Sequence, residues 1–184
     1  MVRSPMAAAF SLLTFAAVLG MAATAYAQTP AASANASAAP AWKQKAKHGN
    51  WEVICAKVGE KDTCQAIQLL ETKNEKDPQA AGQRVLRLVA QKGPEGMVFS
   101  FELPFGIDLR PGIVYQVDGG AETTLPFLTC IPAGCLVSMA LTDPVKKQLT
   151  GGKQMKVGFR PLGSEKVMVL DVKLDGLGKA LAAL

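Results

Sequence analysis

The segment LTCIPAGCLVSMAL, residues 128–141, places two cysteines on either side of a short turn. Cys130 and Cys135 are separated by four residues that include Pro132 and Gly134, with apolar runs before and after them. Proline restricts the backbone of a turn, whereas glycine accepts conformations that other residues avoid. The segment therefore predicts two strands joined by a tight turn. Its thiols could act as a redox centre, as half of a metal site or as a covalent clip.

The first 27 residues have the features of a secretory signal peptide. Arg3 supplies a positive charge, residues 7–19 are apolar, and Ala25-Tyr26-Ala27 has the small-x-small pattern that signal peptidase accepts. We expect cleavage after Ala27. A retained membrane anchor is the alternative, but the segment consists mostly of small residues and no positive charge follows it until Lys43. The membrane is therefore expected to be a partner only through the signal peptide, before cleavage.

Residues 28–48 are predicted to be a flexible tether. The stretch 28–41 consists only of Ala, Ser, Pro, Asn, Gln and Thr, and it has no large apolar side chain. It cannot bury enough surface to offset its ordering entropy. Three lysines and His48 follow as a basic lead-in. The folded domain is expected over residues 49–184, a length that can form a core of its own.

The charge of the chain is too diffuse to indicate a nucleic-acid partner. The formal net charge is +5 at pH 7, and Arg3 is expected to leave with the signal peptide. Such an excess permits weak attraction to anionic envelope surfaces, while a solvated surface is the simpler interpretation. We therefore predict no nucleic-acid binding.

From Trp51 onward, apolar and polar side chains alternate with a period of two, which is typical of half-buried strands. Turn residues separate the segments at 92–96, 110–112, 118–120 and 161–163. Many short strands joined by such turns predict an all-β fold, either an antiparallel sandwich or a barrel. The side chains predicted to face the core are Trp51, Val53 and Cys55; Met97, Phe99, Phe101 and Leu103; Met155, Val157 and Phe159; and Met168, Leu170, Val172 and Leu174.

One or two short helices are expected among these strands. In TDPVKKQLTGG, residues 142–152, Asp143 fits an N-cap, Pro144 the first helical position and Gly151 the position beyond the end. The stretch 175–184 predicts a second helix, which would bury leucines on one face. Those leucines are Leu177, Leu181 and Leu184.

The four cysteines of an exported chain are most simply explained by two disulfides. Pairing Cys55 with Cys64 and Cys130 with Cys135 closes each bridge across its own hairpin, although this is one of three possible connectivities. Catalytic dithiols usually have two intervening residues and a helix after them, which argues against a redox centre. A zinc site is disfavoured because eight residues separate Cys55 from Cys64. A periplasmic thiol-disulfide oxidoreductase using Cys130 and Cys135 is nevertheless the alternative function.

The sequence offers little for catalysis. His48 is the only histidine, so a catalytic triad or a histidine-ligated metal would have to rest on it alone. Glu102, Asp108 and Asp118 could form paired carboxylates, but each also fits as an exposed strand residue or a turn residue. No nucleotide-binding glycine pattern occurs. We therefore predict no enzyme activity, no cofactor and no metal.

Several short motifs in the part of the chain after residue 48 occur together in one known family. They are Trp51 and Cys55, Cys64-Gln65, LPFGIDL (103–109), PFLTC (126–130), Gly134-Cys135 and LDGLGKALAAL (174–184). On these motifs the chain resembles the invasion-associated locus B family of bacterial envelope proteins. Leu177 departs from the family pattern, in which an aromatic residue follows the glycine.

The resemblance implies a secreted or periplasmic protein with an immunoglobulin-like antiparallel β-sandwich, a family linked in pathogens to virulence and invasion of host cells. It brings no catalytic or ligand-binding residue. The function predicted is that of a non-enzymatic exported protein, periplasmic or extracellular, that contacts an envelope or host-surface component. The turns at 104–112 and 118–126 are the expected contact surfaces, since recognition residues often lie on loops held by a rigid scaffold.

Overall fold

Strands dominate residues 40–72 and 82–184, which are the part of the chain that the computed structural model describes. The predicted signal peptide, its cleavage site at Ala25 and Ala27, and the tether up to residue 39 lie outside the described residues. The strands are β1 (Lys43–His48), β2 (Trp51–Val58), β3 (Lys61–Glu71), β4 (Arg84–Gly93), β5 (Gly96–Leu103), β6 (Ile113–Val117), β7 (Glu122–Leu125), β8 (Thr129–Ile131), β9 (Gly134–Ala140), β10 (Gln154–Phe159) and β11 (Met168–Lys173). The helices are α1 (Asp143–Gly151) and α2 (Leu177–Ala182).

Two antiparallel sheets contain these strands. The large sheet has the order β1-β2-β3-β4-β5-β9-β8, and the small sheet has the order β11-β10-β6-β7. The first five strands pair in chain order as successive antiparallel neighbours. The predicted antiparallel β-sandwich with short helices is confirmed.

The core lies between the inner faces of the two sheets. Trp51, Phe99 and Phe101 of the large sheet are fully buried, and the Phe101 ring lies 6.2 Å from the ring of Tyr115 on the small sheet, measured between centroids. The inward positions predicted from the alternation are buried or partly buried, with one exception. Met168 is 43% exposed, because it begins an edge strand whose first residues have little covering them.

Both helices form, with small shifts from the predicted boundaries. Thr142 is the N-cap of α1, and its carbonyl accepts a hydrogen bond from the Lys146 amide at 2.7 Å. Asp143 is therefore the first helical residue rather than the cap, and the helix includes Gly151. Helix α2 buries Leu177 and Leu181 as expected. Ala180 is buried with them, and Leu184 is only partly buried.

Strand β1 starts the large sheet six residues before the predicted domain boundary. The predicted tether therefore does not extend to residue 48, since Lys43–His48 pairs along β2. The lysines of β1 remain exposed, and Ala46 packs against the core. Charged side chains are common on edge strands because they stay solvated there, so a basic composition concealed this strand. His48 ends β1 and is half-buried, rather than being a solvated linker residue.

Candidate functional site

Both disulfides close across hairpins. Cys55 and Cys64 lie directly opposite each other on β2 and β3, with their Cα atoms 4.1 Å apart. Cys130 and Cys135 oppose each other on β8 and β9, with their Cα atoms 3.9 Å apart. Directly opposed residues of antiparallel strands come close enough for such bridges. In the chain-entropy model, loops of this length give about 2–3 kcal/mol of stability per bridge.

The turn between Cys130 and Cys135 is fixed by its surroundings as well as by the bridge. Gly134 has a φ of 138°, and a Cβ there would overlap the carbonyl oxygen of Leu103, so only glycine fits. Arg84 Nη2 donates to the carbonyl oxygen of Ala133 at 2.5 Å. Cys135 is buried and is the second residue of β9, whereas Cys130 is exposed. In many dithiol enzymes a helix begins directly after the cysteines, and its N-terminus lowers the pKa of one thiol. Here strand β9 follows the turn instead of a helix.

The three acidic residues considered for catalysis have separate partners. Glu102 Oε1 accepts a hydrogen bond from Arg87 Nη1 at 2.6 Å. Asp118 accepts bonds from the backbone amides of Lys153 and Gln154, and these bonds lower the pKa of Asp118. Neither arrangement pairs one carboxylate with another. Within residues 40–72 and 82–184, no group of three or more His, Cys, Asp or Glu side chains could hold a metal ion.

Asp108, in the turn at 104–112, forms a cluster that we call the arginine clamp. Its side chain is only 6% exposed and lies between Arg110 and Arg160. Arg110 donates from Nε to Oδ1 at 2.8 Å and from Nη2 to Oδ2 at 2.9 Å, which is a bidentate pair. Arg160 Nη2 donates to Oδ2 as well. One buried carboxylate thus orients two guanidinium groups.

Backbone hydrogen bonds connect the two segments that carry the clamp. The Asp108 amide donates to the carbonyl oxygen of Arg160 at 2.8 Å, and the Leu162 amide donates to that of Gly106 at 2.9 Å. Ile107 forms an isolated bridge with Pro161. The turn after β5 is therefore fixed to the end of β10, and the arginines are held by backbone as well as by charge.

The arginine clamp lowers the pKa of the Asp108 carboxyl group. The hydrogen bonds from Arg110, and then those from Arg160, hold the pKa of Asp108 well below its ordinary value of 3.8. A carboxylate with a lowered pKa stabilises the fold above the ordinary value, and this contribution is lost as the pH falls toward the folded-state pKa.

Asp108→Asn is therefore expected to weaken the acid dependence of stability. Below the ordinary pKa, acid unfolding of the variant should take up about one proton fewer than that of the wild type. Urea unfolding at a series of pH values from about 7 to about 2 measures this difference as a shallower slope of unfolding free energy against pH. Asp118 keeps its own lowered pKa in the variant, so some slope should remain. Identical slopes for the two proteins would contradict the role of the clamp.

Exposed apolar side chains surround the arginine clamp. Phe105 is 62% exposed and Leu162 is 68% exposed, and the Arg110 side chain is 84% exposed. Single exposed apolar residues are ordinary, but several around oriented arginines are typical of a contact surface. We call this surface the arginine patch. Its residues are Phe105, Leu109, Arg110, Arg160, Leu162 and Val167.

Sequence reasoning identified only half of the arginine patch. The turn at 104–112 was expected to be a contact surface, but Arg160 and Leu162 were not connected with it. One signal was available, because each arginine of the clamp precedes a proline, in Arg110-Pro111 and in Arg160-Pro161. The residue before a proline is disfavoured in a helix, so an Arg-Pro pair often lies at a turn or just after a strand.

The cleft beside the patch is shallow, about 90 Å³, and its lining is mostly apolar. Its lining residues are Pro111, Gly112, Val114, Gly158, Phe159, Arg160 and Val167. Among the residues that the structure describes, no helix is long and apolar enough to cross a bilayer.

Comparison with known proteins identifies the family. The family model described as "Invasion associated locus B (IalB) protein" matches residues 51–184. An invasion protein B homolog of Brucella abortus (strain 2308) is 30% identical over 136 residues, covering 72% of this chain and 73% of that protein. Invasion protein B of Bartonella bacilliformis is 30% identical over 141 residues, covering 74% and 72%. The crystal structure of invasion associated protein B from Bartonella henselae matches with a TM-score of 0.62 at 25% identity, covering 75% of this chain and 92% of that one. The chain therefore belongs to the invasion-associated locus B family.

Proposed function

We propose that the protein is a non-enzymatic exported protein that contacts another component of the envelope or of a host surface through the arginine patch. The observation that carries this proposal is the arginine clamp, in which a buried carboxylate orients two arginines among exposed apolar side chains. Family membership supports the proposal, because the relatives are named for invasion. The disulfides support an oxidising compartment, periplasmic or extracellular.

The chemistry of the patch explains why it suits a protein partner. An arginine held on one edge by a carboxylate loses less side-chain entropy when its free edge binds a partner. Arg110 uses Nε and Nη2 for Asp108, which leaves Nη1 for another acceptor. Phe105 and Leu162 add apolar area that a partner would remove from water. Arginines and aromatic residues of this kind dominate binding energy at interfaces.

A photo-crosslinking residue introduced at Phe105, and separately at Leu162, tests the proposal in intact cells. Both positions are expected to capture the same envelope or host-surface protein, identified by mass spectrometry. The matched control is the same residue at Glu60, which is exposed in the turn between β2 and β3. Arg110→Ser should reduce capture from Phe105, and it should not unfold the protein because this side chain is mostly exposed. Equal capture from Glu60, or no loss with Arg110→Ser, would count against the patch.

A further inference from the structure

The two disulfides differ in how the fold covers their cysteines. Cys55 and Cys64 are both half-buried and pack against the core. They join β2 to β3, two long strands, and β3 lies inside the large sheet between β2 and β4. In the second bridge, Cys130 is exposed, whereas Cys135 is only 3% exposed. The fold therefore encloses one bridge, while the other presents one of its two cysteines to solvent.

Strand β8, which carries Cys130, has few contacts besides the bridge. It is an edge strand of the large sheet, it has three residues, and all three are exposed. Its ladder with β9 pairs Thr129–Ile131, and one further backbone hydrogen bond runs from the Leu128 amide to the Leu136 carbonyl oxygen at 2.8 Å. Short ladders of exposed backbone hydrogen bonds open at little cost in free energy. The bridge is therefore the strongest link between β8 and β9.

The segments on either side of β8 are fixed independently of the bridge. Before the strand, Phe127 packs against the core. After it, Gly134 is buried, and the carbonyl oxygen of Leu103 occupies the space that a Cβ of Gly134 would need. The segment governed by the bridge is thus short, residues 128–133. Its release would leave the core between the two sheets in place.

Positive charge lies near both bridges and does not distinguish them. Lys43 is in register with Cys55 on the neighbouring strand. Arg84 donates to the carbonyl oxygen of Ala133, inside the loop that the other bridge closes. Positive groups stabilise thiolates, so they favour thiol–disulfide exchange at either bridge. Access to the sulfur and the strength of the surrounding strand pairing are what separate the two bridges.

We propose that the Cys130–Cys135 bridge is a redox-sensitive strap, which a dithiol opens in the folded protein so that β8 is released while the two sheets stay together. A dithiol is favoured over a monothiol because Cys135 stays beside its partner and would close the bridge again before a second molecule arrived. The inference goes beyond the proposed function and does not depend on the arginine patch. It also differs from an oxidoreductase activity, because the bridge is the substrate of the exchange and not its catalyst.

The exchange takes place in two steps. A thiolate of the dithiol attacks the sulfur of the exposed Cys130, a new S–S bond forms as the Cys130–Cys135 bond breaks, and Cys135 leaves as a thiolate. The second thiolate of the dithiol then attacks its own sulfur in the mixed disulfide, and Cys130 leaves. Two electrons pass to the bridge, the dithiol becomes a cyclic disulfide, and the two protons that it loses end on the cysteines.

Timed reduction of the folded wild-type protein with dithiothreitol tests the strap without any variant. Acid quenching, alkylation and peptide mass spectrometry measure how much of each bridge is reduced. We expect Cys130–Cys135 to be reduced at least about tenfold faster than Cys55–Cys64, because the rate depends on access to the attacked sulfur. In a concentration of urea that unfolds the protein, access is equal and the two bridges should be reduced at similar rates.

Hydrogen exchange read by mass spectrometry shows what the strap holds. After an exposure to dithiothreitol that reduces only Cys130–Cys135, amides of residues 128–131 should exchange at least about tenfold faster, while β2, β3 and β5 keep their protection. Cys130→Ser/Cys135→Ala should show the same open β8 without reductant, since alanine suits the buried position. The matched control is Cys55→Ala/Cys64→Ala, in which β8 should stay closed until dithiothreitol is added.

The measurements on the wild-type protein decide the proposal even if a variant fails to fold. Selective reduction of Cys130–Cys135, with protection lost only around β8, would support the strap. Reduction of the two bridges at equal rates in the folded protein would overturn it, as would reduction of neither bridge before the protein unfolds. Unchanged protection of β8 after reduction, or loss of protection across both sheets, would overturn it too.

Discussion

Gly176→Ala is expected to destabilise the protein by about 3–4 kcal/mol. Gly176 has a φ of 88°, a conformation that costs energy for any residue with a Cβ. A Cβ at this position would also overlap the carbonyl oxygen of His48 and come within 3.0 Å of the Gly49 amide nitrogen. Those atoms belong to backbone and cannot move aside as a side chain can. The start of α2 would therefore have to separate from the turn between β1 and β2.

Urea unfolding of Gly176→Ala and Gly163→Ala separates the overlap from the backbone strain. Gly163 also has a positive φ, 76°, but nothing lies within 4 Å of a Cβ built there. The Gly163 variant should lose only about 1–2 kcal/mol, the cost of the left-handed conformation. Equal losses for the two variants would mean that the approach of residue 176 to His48 has no energetic consequence.

Trp51→Ala is expected to cost about 3–5 kcal/mol. The Trp51 side chain is fully buried and its ring lies 5.9 Å from the ring of Phe99. Its Nε1 also donates to the carbonyl oxygen of Lys173 at 3.2 Å, which connects the large sheet to the end of β11. Removing the indole would leave a cavity between the sheets and an unsatisfied carbonyl at the edge.

Trp51→Phe is the matched control for the indole. Phenylalanine retains an aromatic ring near Phe99 but cannot donate to Lys173, so an intermediate loss is expected. Unfolding followed by circular dichroism measures both variants without depending on indole fluorescence. A loss for Trp51→Ala no larger than that for Trp51→Phe would show that packing at this position contributes little.

Much of the fold could be predicted because the signals were local. Alternation in MVFSFEL places Phe99 and Phe101 inward whatever the other strands do. The cysteine hairpins were likewise readable from short spacings, since opposed positions on adjacent strands follow from the turn between them. Local patterns of this kind are sufficient to assign strands and inner faces.

The remainder depended on distant parts of the chain. The composition of Lys43–His48 resembles a solvated linker, and only pairing with β2 makes it a strand. Asp108 and Arg160 are separated by 52 residues, so the arginine clamp exists only after β10 has paired with β6. Met168 is exposed because it lies on an edge strand of the small sheet. The alternation of apolar and polar residues does not show which strands lie at an edge. Contacts between distant segments were thus the part that sequence patterns did not show.

The contact between the β1–β2 corner and the segment leading into α2 has a consequence for when the protein can fold. Trp51 and Lys173 are 122 residues apart, and Asp175 accepts a hydrogen bond from the Asn50 amide. During synthesis, the chain must be extended past residue 181 before the leucines of α2 can close over the first strands. Until then, the early hairpins can form, but the apolar faces of their strands remain uncovered. Contacts between residues so far apart in the chain also form slowly. The two sheets of a newly made chain can therefore close on each other only after its last helix has been synthesised.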